Sequence, residues 1–223
     1  MKNFFLLKQT NPEFGYSGEI LGTDFDLSAA CPHCGSGAFV KDRLRVKIKP
    51  TKDEFLETIA GDFLISEALF KSLKNKSNKV NVNHLKKVLD SSDNELPYYY
   101  LTSKLSFPSM SNESNGVIVE GQCQFCKRDG HFAKVIVGNL SLGIKTKIIT
   151  PHYIYKIEND SFLDQSDIFT TWECFGNSRL KTEGKYIRHF ARPELLVSAE
   201  LKDKLEECNL KSLNFFPITI EKI

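Results

Sequence analysis

The sequence predicts an α+β fold: mixed or antiparallel sheets, a few short amphipathic helices, and a zinc-ribbon-like four-cysteine site. Three observations carry this expectation. Short apolar runs bounded by Gly, Pro, Asn, Asp and Ser recur along the chain, as strands between turns do. Two segments, 63–73 and 195–205, each place three apolar residues before a serine and leucines three and seven positions after it, the pattern of a strand leading into a capped amphipathic helix. Finally, the CxxC pairs Cys31/Cys34 and Cys123/Cys126 both sit among strand-like residues.

Length and composition suit an ordinary globular chain. Its 223 residues are 41% hydrophobic and 26% charged, enough to bury a core without disulfides. We expect 1–223 to form a single domain or two tightly packed lobes. The zinc-ribbon-like part would comprise 28–48 and 117–138, with an inserted subdomain at about 50–116 and a C-terminal α/β part at about 144–223. Net charge is +2, from 30 basic and 28 acidic residues, which argues against a dedicated nucleic-acid binder. No apolar run approaches the roughly 20 residues of a membrane span. The run Phe4-Phe5-Leu6-Leu7 is too short for a signal peptide and is expected to be a strand. The expected location is the cytoplasm, a reducing compartment in which cysteines are thiols or ligands.

In chain order, residues 4–7 read as a buried strand and 11–30 as an irregular approach to Cys31. The alternation of Phe39, Leu44, Val46 and Ile48 with basic residues predicts a half-buried strand pair. Asp53 can cap a short helix holding Phe55, Leu56 and Ile59, closed by Gly61. Segment 63–73 follows, and a second helix is expected near Val82 to Leu89. Tyr98-Tyr99-Tyr100-Leu101 favours a strand, and 103–116 a loop. Strands are expected at 117–119, 132–137, 144–149 and 152–157, whereas 160–185, including Trp172, gives no clear pattern. Segment 195–205 repeats 63–73, either as one strand–helix device used twice or as a common helix start matched by chance. Pro217 places the last apolar strand at a sheet edge.

Six randomly scattered cysteines would yield two CxxC pairs in roughly 1% of such chains. Zinc explains the spacing: two thiolates three residues apart face one ion around a tight turn, and a second pair completes a tetrahedron. The 88 residues between Cys34 and Cys123 do not forbid the site. Closing that loop rather than one of about 15 residues costs only roughly 1.6 kcal/mol more, against about 10 kcal/mol for a structural zinc. A redox CxxC, an iron–sulfur cluster and a metal-free pairing are the competing readings. Cys174 and Cys208 lack close partners and read as small buried hydrophobes. His33 and His131 read as exposed residues without a role, although His33 could hydrogen-bond a thiolate. His84, His152 and His189 form no HxxxH or HExxH motif.

Phosphate-loop, dinucleotide and nucleophile-elbow motifs are absent. A zinc closed by four thiolates has no open position for chemistry. We therefore expect no catalytic residues and no enzyme activity, an unrecognised enzyme site being the least favoured reading. The basic clusters at 41–47 and 71–87 keep a zinc-ribbon nucleic-acid module as the alternative.

Three features together resemble the bacterial double-CXXCG-motif immunity proteins of polymorphic toxin systems. They are Cys31-Pro32-His33-Cys34-Gly35 after a short N-terminal strand, Cys123-Gln124-Phe125-Cys126 well downstream, and Leu196-Val197-Ser198-Ala199-Glu200-Leu201 followed by Leu213-Asn214-Phe215. Lys127 departs from the family, standing where it has a second glycine. The resemblance implies a cytoplasmic protein that binds and neutralises a cognate protein toxin. Tyr98, Tyr99 and Tyr100 are candidate contacts, of which strand alternation would leave at most Tyr99, or the pair around it, exposed.

Overall fold

The computed structural model describes residues 2–9, 15–49, 51–76, 82, 85–136, 147–178, 189–210 and 213–223. Its α+β architecture is mostly sheet. Strand β1 (Phe4–Gln9) is followed by β2 (Tyr16–Ser17), a 3-10 turn at Gly18–Leu21, β3 (Phe25–Asp26), β4 (Phe39–Val40) and β5 (Val46–Lys47). Next come β6 (Phe55–Glu57), β7 (Phe63–Ser66), helix α1 (Glu67–Lys76), β8 (Lys87–Leu89) and β9 (Glu95–Leu101). The middle of the chain holds β10 (Val117–Val119), β11 (His131–Ala133), β12 (Val135–Ile136), β13 (Lys147–Ile148) and β14 (Ile154–Ile157). A 3-10 turn at Asp160–Gln165 precedes β15 (Ile168–Phe175), β16 (Arg192–Ser198), helix α2 (Ala199–Glu207), β17 (Leu213–Pro217) and β18 (Thr219–Lys222). No helix among the described residues is long and apolar enough to cross a membrane.

Two four-stranded antiparallel sheets dominate, ordered β6-β7-β9-β8 and β15-β16-β1-β17. They share one plan. A hairpin ends in a serine, a helix follows, and the chain returns to a strand lying two places away. A central strand fills the gap. In the first sheet that strand is β9, and Ser66 faces Tyr98. In the second it is β1, and Ser198 faces Phe4. Tyr98-Tyr99-Tyr100-Leu101 thus occupies the place of Phe4-Phe5-Leu6-Leu7. The backbone agrees in detail: Ser66 N–H donates to the Glu54 carbonyl at 2.8 Å, and Ser198 N–H to the Asp167 carbonyl at 2.9 Å, each acceptor lying just before the hairpin's first strand.

Both serines cap their helices. Ser66 Oγ accepts from Leu69 N–H at 3.0 Å and Ser198 Oγ from Leu201 N–H at 3.2 Å. The leucines of both repeats, Leu69, Leu73, Leu201 and Leu205, enter one central core with Phe63, Ile65, Leu195 and Val197. The alternate residues point the other way: Leu64 joins a core with Leu44, Val46 and Val88, and Leu196 joins one with Phe4, Phe107 and Tyr155. Ser198 also donates to Asp167 Oδ1 at 2.7 Å and is wholly buried. Ser198→Ala should therefore lower stability by about 2 kcal/mol, against about 1 kcal/mol for Ser66→Ala, read by denaturant unfolding of the two variants.

Several expectations need correction. The helix predicted around 53–59 is strand β6, because Phe55 and Leu56 are both fully buried in different cores, a period of two rather than 3.6. The helix predicted to Leu89 is also wrong at its C-terminal end, where Lys87–Leu89 is strand; residues 83 and 84, with His84, lie outside the described residues. Asp90 decides this. Its Oδ1 accepts from Ser92 and Asn94 N–H at 2.7 and 2.9 Å and folds the chain back into β9. Residues 168–175, which showed no clear pattern, form the eight-residue strand β15. Pro217 ends β17, an edge strand as expected. Of the strand expected at 144–149, residues 147–149 are described, and Lys147–Ile148 is strand.

The tyrosines are structural. Tyr98 is buried, Tyr99 lies under the Phe70 ring with centroids 3.9 Å apart, and the Tyr100 hydroxyl donates to Asp62 at 3.0 Å.

Candidate metal centre

Each CxxC pair sits in a loop closing a two-stranded antiparallel hairpin, β3–β4 for the first and β10–β11 for the second. The two turns match atom for atom. Gly35 N–H donates to the Cys31 carbonyl at 2.8 Å, and Lys127 N–H to the Cys123 carbonyl at 3.0 Å. Ser36 N–H points at Cys34 Sγ at 3.4 Å, and Arg128 N–H at Cys126 Sγ at 3.5 Å. Amides aimed at sulfur stabilise thiolates, the form that ligates a metal.

The four predicted ligands converge. Cys31 Sγ lies 3.9 Å from Cys123 Sγ, and Cys34 Sγ 3.5 Å from Cys126 Sγ. All four sulfurs lie within 4.8 Å of one another and could hold a metal ion. None is in a disulfide. Burial opposes ionisation at Cys31, Cys34 and Cys126. At Cys31 the backbone amides of Cys34 and His33 outweigh it and bring the thiol down to about 7, whereas burial pushes Cys34 and Cys126 up.

Lys127 keeps the geometry of the missing glycine. Its φ is 55°, close to the 86° of Gly35, so an L side chain occupies a left-handed turn position. Lys127→Gly should relieve that strain and raise stability by about 1 kcal/mol, with unchanged metal content; chemical denaturation of the metal-loaded protein is the measurement.

A buried hydrogen-bond web ties the second turn to the rest of the fold. Asp129, 2% exposed, accepts from Cys123 N–H at 2.9 Å and from Ser178 N–H at 3.1 Å. Ser178 Oγ lies 3.2 Å from Ser36 Oγ and accepts from Ala191 N–H at 2.8 Å. Sequence reasoning missed Asp129, Ser36 and Ser178. The first two stand six and two residues after a ligand, the only signal they offered, and Ser178 offered none.

Other candidates resolve differently. Cys174 is buried, with its thiol pushed up to about 11 by burial, and Cys208 is half-buried against the central core. His131 is not the exposed residue expected: it is 7% exposed, with Nδ1 3.1 Å from the Arg128 carbonyl. His33 is exposed and stacks on Phe125, the rings parallel within 4° and their centroids 3.3 Å apart. His152 contacts Thr219 Oγ1 at 3.1 Å. Several cations of the basic clusters are paired: Lys41 with Asp24, Arg43 with Glu95, Arg45 with Asp93, Lys86 with Asp42 and Lys71 with Glu67.

In comparison with known proteins, no family model matches the chain and no curated protein matches it.

Proposed function

We propose that this chain is an immunity protein that binds and neutralises a cognate bacterial toxin in the cytoplasm, with one structural zinc ion held by Cys31, Cys34, Cys123 and Cys126. The resemblance of its cysteine turns and C-terminal segment to the double-CXXCG immunity proteins supports the reading. The donor set supports zinc: four thiolates at about 2.3 Å from Zn2+ stand about 3.8 Å apart in a tetrahedron, and here all four sulfurs lie within 4.8 Å of one another, with Cys31–Cys123 at 3.9 Å and Cys34–Cys126 at 3.5 Å. Two turn-bearing hairpins facing one ion would make the site zinc-ribbon-like, and four thiolates would leave the ion a structural role only.

The observation that carries the reading is the exposed aromatic pair joining the two turns. Phe125 is 69% exposed and its ring lies on His33. Val119, 53% exposed, and Ile118 stand on the adjoining strand β10. A large ring held rigidly at the surface is what an interface hot spot requires. Zinc would hold that platform in shape. The pairing of Lys41, Arg43, Arg45, Lys71 and Lys86 with acids favours a protein partner over nucleic acid, since a phosphate-tracking surface uses cations free to meet phosphate.

A toxin gene is expected beside this one; co-expression of this chain with its product should restore growth, and Phe125→Ala should weaken the complex at least tenfold, about 1.4 kcal/mol, without changing metal content or melting temperature. Failure of rescue together with no protein partner in a pull-down overturns the proposal.

A further inference from the structure

Beside the metal centre lies a cavity of about 390 Å³, within the range of small-ligand sites. The segment after the first cysteine turn forms one wall, Arg128 just after the second turn forms another, and the end of β9 with the following Lys104 and Leu105 closes a third. Phe25, Phe39, Leu44 and Leu105 give it an apolar surface.

Its charges are one-sided. Lys41, Lys86, Lys104, Arg128 and Arg192 line it, against Asp42 as the one acid among the described lining residues. Some of these cations are committed: Arg192 to Glu19 and Asp62, Lys86 to Asp42 at 3.2 Å, and Lys41 to Asp24 at 3.4 Å. Arg128 is held differently. Its Nε donates to the Trp172 carbonyl at 3.0 Å and its guanidinium stands 5.5 Å from the Trp172 ring centroid. Its Nη1 rests on the bare face of Gly37, where a Cβ would come within 2.6 Å. No carboxylate lies within ion-pair distance of it among the described residues. Glu173 acts on it only from further away, and burial raises the Glu173 carboxyl toward its neutral form. Lys104 is exposed at the rim, where Asp26 is the acid that acts on it. A guanidinium fixed by its Nε and by packing, with its outer donors toward an apolar cavity, suits an anionic headgroup carried on an apolar body.

We propose that this cavity binds a small amphipathic organic anion, with its headgroup on Arg128 and Lys104 and its body against Phe25, Phe39, Leu44 and Leu105. This site is separate from the exposed Phe125 surface and does not depend on a toxin being the partner.

Octanoate is the probe, with octanol as its uncharged counterpart and octyl phosphate as a second anion. Titration followed by backbone and indole amide resonances should show saturable one-to-one binding of octanoate, shifting Gly37 and the single tryptophan, Trp172. Octanol should bind at least tenfold more weakly. Lys104→Gln, an exposed change with no packing to lose, should weaken octanoate binding at least threefold, and Arg128→Gln with Lys104→Gln at least tenfold. Tighter binding of octyl phosphate than of octanoate assigns a phosphate headgroup, and the reverse a carboxylate; both support the site. Equal binding of octanol and octanoate, unchanged affinity in the Lys104→Gln protein, or no saturable binding of either anion by roughly 10 mM overturns it.

Discussion

Replacing Cys31 or Cys126 by serine should strip the metal and lower stability by at least about 3 kcal/mol, a fall of roughly 6–12 °C in melting temperature for a chain of this size. The cause is the loop between the turns. Cys34 and Cys123 have 88 residues between them, and the cysteine cluster joins the hairpins that carry them. With three ligands left, metal affinity falls, and the hairpins are held together by weaker contacts such as the Asp129–Ser178–Ser36 web and the His33–Phe125 stack. Metal analysis and thermal unfolding of wild type and both variants test this together. Wild-type protein purified without any metal, or a serine variant as stable as wild type, would sink the structural-zinc reading. Cys208→Ser is the control: Cys208 lies outside the cluster, so metal content should not change.

Removing the Arg192 guanidinium should cost about 3–5 kcal/mol, roughly 10 °C, because it leaves two buried carboxylates without their cation. Arg192 lies in β16. Its Nη1 and Nη2 donate to Glu19 at 3.1 and 2.8 Å, and its Nε to Asp62 at 3.1 Å. The three side chains are 11%, 7% and 1% exposed. Ser17 and Tyr100 hydroxyls also donate to Asp62, at 2.7 and 3.0 Å. Gly18, at φ 80°, makes room: a Cβ there would come within 2.6 Å of Arg192 Nη2. One cation therefore joins the N-terminal turn, the first four-stranded sheet and the second. The sharper measurement compares Arg192→Met with the triple change Arg192→Met, Glu19→Gln, Asp62→Asn. The triple variant should be the more stable of the two, since it leaves no unpaired buried charge. A single variant losing less than about 1 kcal/mol would show that the network carries little.

What the sequence made legible followed from local chemistry. The four ligands were readable because metal geometry imposes its own spacing. The serine-capped helices were readable because a cap and its leucines lie within eight residues. The strand taken for a helix around Phe55 was not, because two adjacent apolar residues fit either period and only the two cores decide between them. Asp90 hid its turn behind what looked like a helix pattern. Arg192 with Glu19 and Asp62 was invisible, since its members come from three distant parts of the chain. The strand repeat was only half legible: 63–73 and 195–205 share a pattern, but Phe4-Phe5-Leu6-Leu7 and Tyr98-Tyr99-Tyr100-Leu101 share only their bulk, and pairing register alone aligns them.

That register also sets an order of assembly during synthesis. The first sheet takes all four strands from residues 55–101, so it can close as soon as that stretch leaves the ribosome. The second cannot: β1 is made before that stretch, yet its neighbours β16 and β17 are made only after it. Over that interval the nascent chain carries an unpaired apolar strand, a template for wrong pairing or for a chaperone. Lys2 before it and Lys8 within it flank that strand with charge, as gatekeepers do, and in the finished fold they pair with Asp167 and Glu194.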